Sequence, residues 1–114
     1  MVTVTLVRHG QVITGFEVTG HAEYEEEGKD IICAGVSAVT QTAVAGLLLH
    51  LLHPPQVERE KGWLLCRLPA GMTPAEQEKA QVILTTMEAG LRALEAGYPE
   101  YVKIQSRRCE TCFP

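Results

Sequence analysis

The sequence predicts an α/β protein of the α+β type, a β-β-α-β-β-α-β sandwich with a mostly antiparallel sheet and two helices. Two observations predict it: segments of alternating β-branched residues, and two longer segments with apolar residues at helical spacing. The 114 residues are enough for one domain. With 46% hydrophobic and 21% charged residues, the composition is that of a globular protein.

Five segments have the alternation expected of strands. Residues 2–9 and 12–19 flank a short turn and predict an N-terminal hairpin. A second, shorter hairpin is predicted over residues 56–60 and 63–68, and a last strand over residues 101–106.

The first predicted helix is unusually apolar. Asp30 is a suitable N-cap, and the helix is expected to end near His53, where Pro54 stops it. Residues 31–52 include no charged side chain and are long enough to span a bilayer. They do include serine, threonine, glutamine and histidine, with no basic flank, so a buried central helix is favoured over a membrane span. A second subunit is one way to cover such a helix.

The second predicted helix has clear end signals. Thr73 is the expected N-cap, Pro74 the first helical residue, and Glu76 completes a capping box. Gly97 is expected to end the helix in a left-handed conformation.

Charge and cysteine content narrow the class of protein. The net charge of −4 argues against nonspecific nucleic-acid binding. The N-terminal residues do not resemble a signal peptide, so the four cysteines are expected to lie in a reducing cytoplasm. No phosphate loop or dinucleotide turn is present in the sequence, and no cofactor is predicted.

Cys33 and His21 are the candidate catalytic pair. With Asp30 as N-cap, Cys33 would be the third helical residue, where the helix dipole favours thiolate and free amides could stabilise an oxyanion. His21, in the preceding loop, could accept the thiol proton. The alternatives are a buried apolar cysteine and an ordinary loop histidine.

Three further residues are expected to support this pair. Asp30 could orient His21 besides capping the helix, and Ser37 lies one helical turn beyond Cys33 on the same face. Gly20 would allow the loop to bend.

The C-terminal residues carry a separate motif. We expect one domain over residues 1–106 and a tail over residues 107–114, in which Cys109 and Cys112 form a C-x-x-C pair. Such a pair can hold half of a zinc site or form a redox couple. Because no second pair with ligand spacing exists in the sequence, no metal site is predicted.

Two motifs together resemble a known family. Residues 20–24 read G-H-A-E-Y, residues 28–37 read G-K-D-I-I-C-A-G-V-S, and the histidine and the cysteine are twelve residues apart. This pattern resembles that of the ribosomal-processing cysteine protease family, Prp: a G-H-A-x-Y loop, a short spacer, and G-x-D-I-x-C-x-x-V-S. The resemblance extends over residues 1–106, whereas the C-x-x-C tail is outside the family pattern.

The resemblance implies a bacterial, cytoplasmic and homodimeric endopeptidase without a cofactor. Its expected partner is the precursor of large-subunit ribosomal protein twenty-seven, cut after an aromatic residue to remove a short N-terminal extension. The matching motif positions imply that His21 is the general base and Cys33 the nucleophile. Asp30 and Ser37 match supporting positions, and Gly20 begins a mobile lid. The alternative is a noncatalytic ribosome-associated module that only binds a precursor peptide.

Overall fold

The order of the elements and the fold class are those predicted. The computed structural model describes residues 1–20 and 27–109, with the backbone alone for residues 27–30. The elements are β1 (Val2–His9), β2 (Val12–Thr19), α1 (Glu27–His50), β3 (Gln56–Glu60), β4 (Trp63–Arg67), α2 (Pro74–Gly97) and β5 (Val102–Arg108).

The five described strands form one mixed sheet in the order β3-β4-β2-β1-β5. The pairs β1–β2, β2–β4 and β3–β4 are antiparallel, and only β1–β5 is parallel. A crossover connection that contains α2 joins β4 to β5. Such a connection lets β5 run parallel to its neighbour β1. The prediction of a mostly antiparallel sheet is confirmed.

Both helices cover the same face of the sheet. Alternation along β1 directs Val2, Val4 and Leu6 to that face, where each is 0% exposed. Phe16 and Val18 are their paired neighbours on β2 and are equally enclosed. The helices contribute the other half of the core with Ile32, Cys33, Val36, Ala43, Val44, Leu47, Ala80, Leu84, Met87 and Leu91.

The first helix begins earlier than the sequence predicted. Glu27 is its first residue and Asp30 its fourth, so the prediction that Asp30 is the N-cap is wrong. The local sequence accounts for the difference, because an acidic residue such as Glu27 is stabilised at the positive end of a helix dipole. The segment that joins β2 to α1 is therefore shorter than expected.

The same helix also ends earlier, at His50 rather than near His53. The backbone amides of Leu52 and His53 donate to Oε2 of Glu76, at 3.0 and 3.1 Å, instead of to a carbonyl of α1. The carboxylate of α2 thus ends α1 before the chain reaches Pro54.

One helix in the described residues, Ile31–His50, is long and apolar enough to cross a membrane. Its inner side belongs to the core described above, and a core helix passes the same test of length and composition. The sequence favoured a helix buried on most sides, but only 39% of this stretch is buried within the chain, so the prediction holds for its inner side alone.

The predicted start of α2 is confirmed, and the predicted form of its end is wrong. Thr73 Oγ1 accepts the amide of Glu76, and the Glu76 carboxylate accepts the amide of Thr73, each at 3.1 Å. At the other end, Gly97 is the last helical residue but has no positive φ. The amide of Tyr98 still donates to the carbonyl of Leu94 at 2.9 Å, so the turn closes without a left-handed residue.

The last strand extends beyond its predicted end. Arg107 and Arg108 continue β5 and pair with Val7 and Arg8 of β1. The amide of Cys109 then donates to the carbonyl of Arg8 at 2.8 Å. The first residues assigned to a tail therefore belong to the sheet.

Gly15 of β2 lies close against the backbone of β4. A Cβ at this position would be 2.5 Å from the carbonyl oxygen of Cys66 and 3.3 Å from Cα of Arg67. Both neighbours are backbone atoms of a paired strand, so neither moves without disturbing the sheet.

We expect Gly15→Ala to lower the free energy of unfolding by roughly 1–3 kcal/mol, the range for overpacking a fixed interior. Gly97→Ala is the matched control, because its Cβ would meet nothing within 4 Å and its φ is not positive. Urea unfolding of both variants measures the difference. Equal stability of the two variants would contradict the argument from close approach.

Glu76 is a nearly buried carboxylate, 4% exposed, that binds both helices. Its pKa is lowered from 4.5 to about 2, chiefly by the backbone amide of Thr73, with further contributions from the amide and ring of His53 that outweigh the cost of burial. A folded-state pKa below the unfolded value means that ionisation of Glu76 stabilises the folded state.

This stabilisation should be complete above pH 4.5 and should decline as the pH falls towards 2. We therefore expect the stability of the protein to fall more steeply between pH 5 and pH 2 than that of Glu76→Gln. Glu78→Gln, an exposed change on the same helix, should follow the unmodified protein. Chemical unfolding followed by circular dichroism at each pH tests this, and parallel curves for the protein and Glu76→Gln would refute it.

Candidate active site

Gly20 marks the point where the chain leaves the sheet towards the predicted site. It has φ +77°, a conformation that side chains rarely adopt. A Cβ here would also lie 2.5 Å from the carbonyl oxygen of Met1. Glycine is therefore required for two reasons, which agrees with the bend predicted at Gly20. His21 follows at once and lies outside the described residues.

Cys33 is a thiol outside any disulfide, on the inner side of α1, 6% exposed and part of the hydrophobic core. Because α1 begins at Glu27, Cys33 is its seventh residue and not its third. In a regular helix the amide of a seventh residue is already bonded to the carbonyl four residues back, and the dipole acts mainly within the first turn. The predicted activation of Cys33 by free amides of the first turn is therefore wrong.

Ser37 lies one turn beyond Cys33, as predicted, and is half-buried. Its carbonyl oxygen accepts the hydroxyl of Thr40 at 3.3 Å, and that hydroxyl also donates to the carbonyl of Val36 at 2.9 Å. Ser37 lines a cavity of about 90 Å³ between α1 and the β3–β4 hairpin. Cys33 and Ser37 thus share one side of the helix, whereas the Asp30 side chain lies outside the described part.

Cys66 is the second described free thiol, and sequence reasoning gave it no role. It belongs to β4, where it is 1% exposed among apolar side chains of the core. Burial raises its pKa to about 12, only partly offset by the positive charge of Arg59. A thiol that stays protonated is a poor nucleophile, so Cys66 is a packing residue.

The C-x-x-C motif begins at the end of β5. The carbonyl oxygen of Cys109 is 3.0 Å from Nδ1 of His9, and Cys112 lies outside the described residues. Within residues 1–20 and 27–109, no group of three or more histidine, cysteine or acidic side chains is placed to hold a metal ion.

Sequence reasoning missed one polar feature beside Ser37. The cavity next to Ser37 is also lined by Gln41 of α1 and by Arg59 of β3. The alternation of β3 could have indicated that Arg59 shares a face with Val57. Only the packing of α1 against the hairpin shows that this face meets Ser37.

Comparison with known proteins agrees with this architecture. The family described as cysteine protease Prp matches residues 1–103. A Bacillus subtilis protein named ribosomal processing cysteine protease Prp is 31% identical over 107 residues, covering 91% of this chain and 96% of its own length. The Staphylococcus aureus (strain Mu50) protein of the same name is 30% identical over 103 residues, covering 90% of this chain and 94% of its own.

Solved structures share the fold. The S. aureus ribosomal processing protease Prp in complex with a substrate peptide superposes with a TM-score of 0.81 at 27% identity, covering 94% of this chain and all of that one. The SMU.848 protein of Streptococcus mutans superposes with a TM-score of 0.79 at 28% identity, covering 96% of both chains. The resemblance seen in the sequence motifs is therefore confirmed, and the chain belongs to the Prp family of cysteine proteases.

Proposed function

We propose that this cysteine protease removes a short N-terminal extension from the precursor of ribosomal protein twenty-seven of the large subunit. The cut falls after an aromatic residue, and the reaction takes place in the bacterial cytoplasm. The family supports ribosomal processing as the setting, and the S. aureus relative was solved with a substrate peptide. The observation that carries the proposal is the Cys33 thiol, outside any disulfide, on the helix that follows the G-H-A-E-Y motif.

Cys33 is the proposed nucleophile and His21 the proposed general base. Attack of the thiolate on the scissile carbonyl forms a C–S bond, and collapse of the tetrahedral intermediate breaks the C–N bond. The imidazolium of His21 returns its proton to the leaving amine, and water then hydrolyses the thioester. Because Cys33 is the seventh residue of α1, this scheme relies on the histidine rather than on the helix terminus to favour thiolate.

Asp30, Ser37 and Gly20 have supporting roles in this scheme. Ser37 lies on the Cys33 side of α1, where it can hydrogen-bond to the substrate or to the nucleophile region. Asp30 precedes Cys33 by three residues in the same helix, a spacing that places the two on neighbouring positions of the helix surface. Gly20 fixes the start of the segment that carries His21 and, by carry-over, forms the base of a lid.

We expect Cys33→Ala and His21→Ala each to reduce peptide cleavage by roughly a thousandfold or more, as removal of a nucleophile or its base does in other hydrolases. Cys66→Ala is the matched thiol control and should retain cleavage, because Cys66 is enclosed in the sheet. The substrate is a peptide with an aromatic pair before a small residue. Mass spectrometry measures its cleavage products in reducing buffer.

Circular dichroism confirms that each variant is folded. Full cleavage by Cys33→Ala would reject the assignment of the nucleophile. Tight peptide binding without cleavage by the unmodified protein would favour the alternative, a noncatalytic module that binds the precursor.

The proposed enzyme is a homodimer, because α1 presents a large apolar surface on its outer side. Only 39% of the apolar stretch of α1 is buried within one chain. Leu49 of α1 is 77% exposed, Leu52 just after α1 is 80% exposed, and Val82 of α2 is 61% exposed. Between the helices lies an apolar cavity of about 560 Å³. A soluble monomer rarely leaves so continuous an apolar surface in water, and a twofold-related copy is the commonest cover.

We expect the protein to sediment as a dimer and Leu49→Glu to shift it towards monomer, because a buried unpaired carboxylate is costly. Lys103→Glu, an exposed change on β5, is the control and should leave the dimer intact. Analytical ultracentrifugation across a concentration series makes the comparison. A monomer at every concentration would contradict the proposed dimer.

A further inference from the structure

A cavity lies on the face of the sheet opposite to the helices. It is lined by one row of cross-strand neighbours: Arg67 of β4, Gly15 of β2, Val7 of β1 and Arg107 of β5. The adjacent residues Leu6 and Phe16 belong to the core beneath the helices, so alternation directs this row to the other side of the sheet. Cys33 also belongs to that core, so the sheet separates the cavity from the proposed nucleophile.

The row is low at its centre and high at its two sides. Gly15 and Val7, on the inner strands, have no side chain and a short one, whereas each flanking strand contributes an arginine. Neighbouring strands are about 4.8 Å apart, so three spacings place the Cα atoms of Arg67 and Arg107 roughly 14 Å apart. Two long side chains at that separation can hold one small ligand between them. The cavity volume of about 390 Å³ is within the range of roughly 300–1,000 Å³ for small-molecule sites.

The cavity is positively charged, although the net charge of the protein is −4. Arg108 also lines it, and no acidic residue is among its described lining. The carboxylate of Glu17 is 3.9 Å from Arg107, and its other oxygen accepts the indole N–H of Trp63 at 2.6 Å. Within residues 1–20 and 27–109, no hydrogen bond or ion pair engages the guanidinium of Arg67. An anion between the arginines would therefore offset their mutual repulsion.

Two arginines on opposite sides suit a phosphate better than a carboxylate. The planar guanidinium pairs with two oxygens of one anionic group. A carboxylate has only two oxygens, so a single arginine already occupies both in this way. A phosphate monoester has three free oxygens and a charge of about −1.5 to −2 at neutral pH, so Arg67 and Arg107 can bind it together.

The cavity also has an apolar wall formed by Leu65 of β4 and by Leu68, which follows that strand. Leu65 is 9% exposed and Val7, on the same face, is 8% exposed, so this wall is a packed part of the sheet. A ligand that carries a phosphate at one end and a less polar group at the other would contact both parts of the cavity.

We propose that this cavity binds a phosphate monoester of about the size of a nucleoside monophosphate. Arg67 and Arg107 hold the phosphate, and Leu65 and Leu68 contact the sugar or base. The site is separate from the proposed cleavage of peptides at Cys33 and does not depend on it.

A general contribution to solubility is the competing explanation, because charged side chains on an open sheet face keep it in water. That role acts through charge alone. It distinguishes neither a nucleotide from the nucleoside nor the arginines of this cavity from an arginine elsewhere. Selective binding of a phosphate ester therefore separates the two explanations.

The test is isothermal titration calorimetry with three probes: adenosine monophosphate, adenosine and inorganic phosphate. The proteins are the unmodified chain, Arg67→Gln and Arg107→Gln, each checked for its fold by circular dichroism. Arg59→Gln is the matched control. It removes the same side chain from β3, where Arg59 is opposite the core residue Leu64 and so faces the helix-covered side.

Adenosine monophosphate should bind the unmodified protein about tenfold or more tightly than adenosine or inorganic phosphate does. Arg67→Gln and Arg107→Gln should each weaken it by about tenfold, the effect of one charged hydrogen bond. Arg59→Gln and Cys33→Ala should bind it as the unmodified protein does, and the second of these separates the site from the proposed catalysis.

Four results would overturn the proposal: no binding of adenosine monophosphate, equal binding of adenosine, equal binding of inorganic phosphate, or an equal loss of affinity in Arg59→Gln. A 5′-phosphorylated trinucleotide of RNA, compared with its 5′-hydroxyl form, identifies the source of the ester. Phosphate-dependent binding as tight as that of adenosine monophosphate supports the end of an RNA chain, and tenfold weaker binding supports a free nucleotide.

Discussion

The carboxylate of Glu76 is the interaction on which the arrangement of the two helices depends. It accepts the amide of Thr73 at the start of α2 and those of Leu52 and His53 after the end of α1. An aliphatic residue at this position would leave three partly buried backbone amides without this acceptor, and an amide that loses its partner destabilises the fold. Because one group ends the first helix and begins the second, it fixes their relative position over the sheet.

With the helices fixed in this way, α1 has to satisfy different demands on its two sides. Its inner side contributes Val36, Val44 and Leu47 to the core, and a charge there would be desolvated without a partner. Its outer side is apolar and largely exposed in one chain, which suits a second copy in the proposed dimer. The lack of charge from residue 31 to residue 52 therefore has a separate physical reason on each side.

Local sequence signals predicted the strands and the start of α2, since alternation and the Thr73–Glu76 capping box act over a few residues. They failed at both ends of α1. The start was misplaced because Asp30 is a good N-cap by type, yet Glu27 also suits a first turn. The end was misplaced because its acceptor, Glu76, is more than twenty residues away in the sequence. The cavity lined by Ser37, Gln41 and Arg59 was missed for a similar reason, since it exists only where the hairpin meets α1.

The two described thiols outside a disulfide, Cys33 and Cys66, differ in the features that separate a proposed nucleophile from a packing residue. Both lie in the same hydrophobic core, so burial alone does not distinguish them. Cys66 is in β4, a strand paired on both sides, where desolvation raises its pKa to about 12. Cys33 is on the helix that follows the segment carrying His21, nearly two turns beyond the first helical residue. Since the helix terminus is too distant to activate it strongly, the reactivity proposed for Cys33 depends on where that segment positions the histidine.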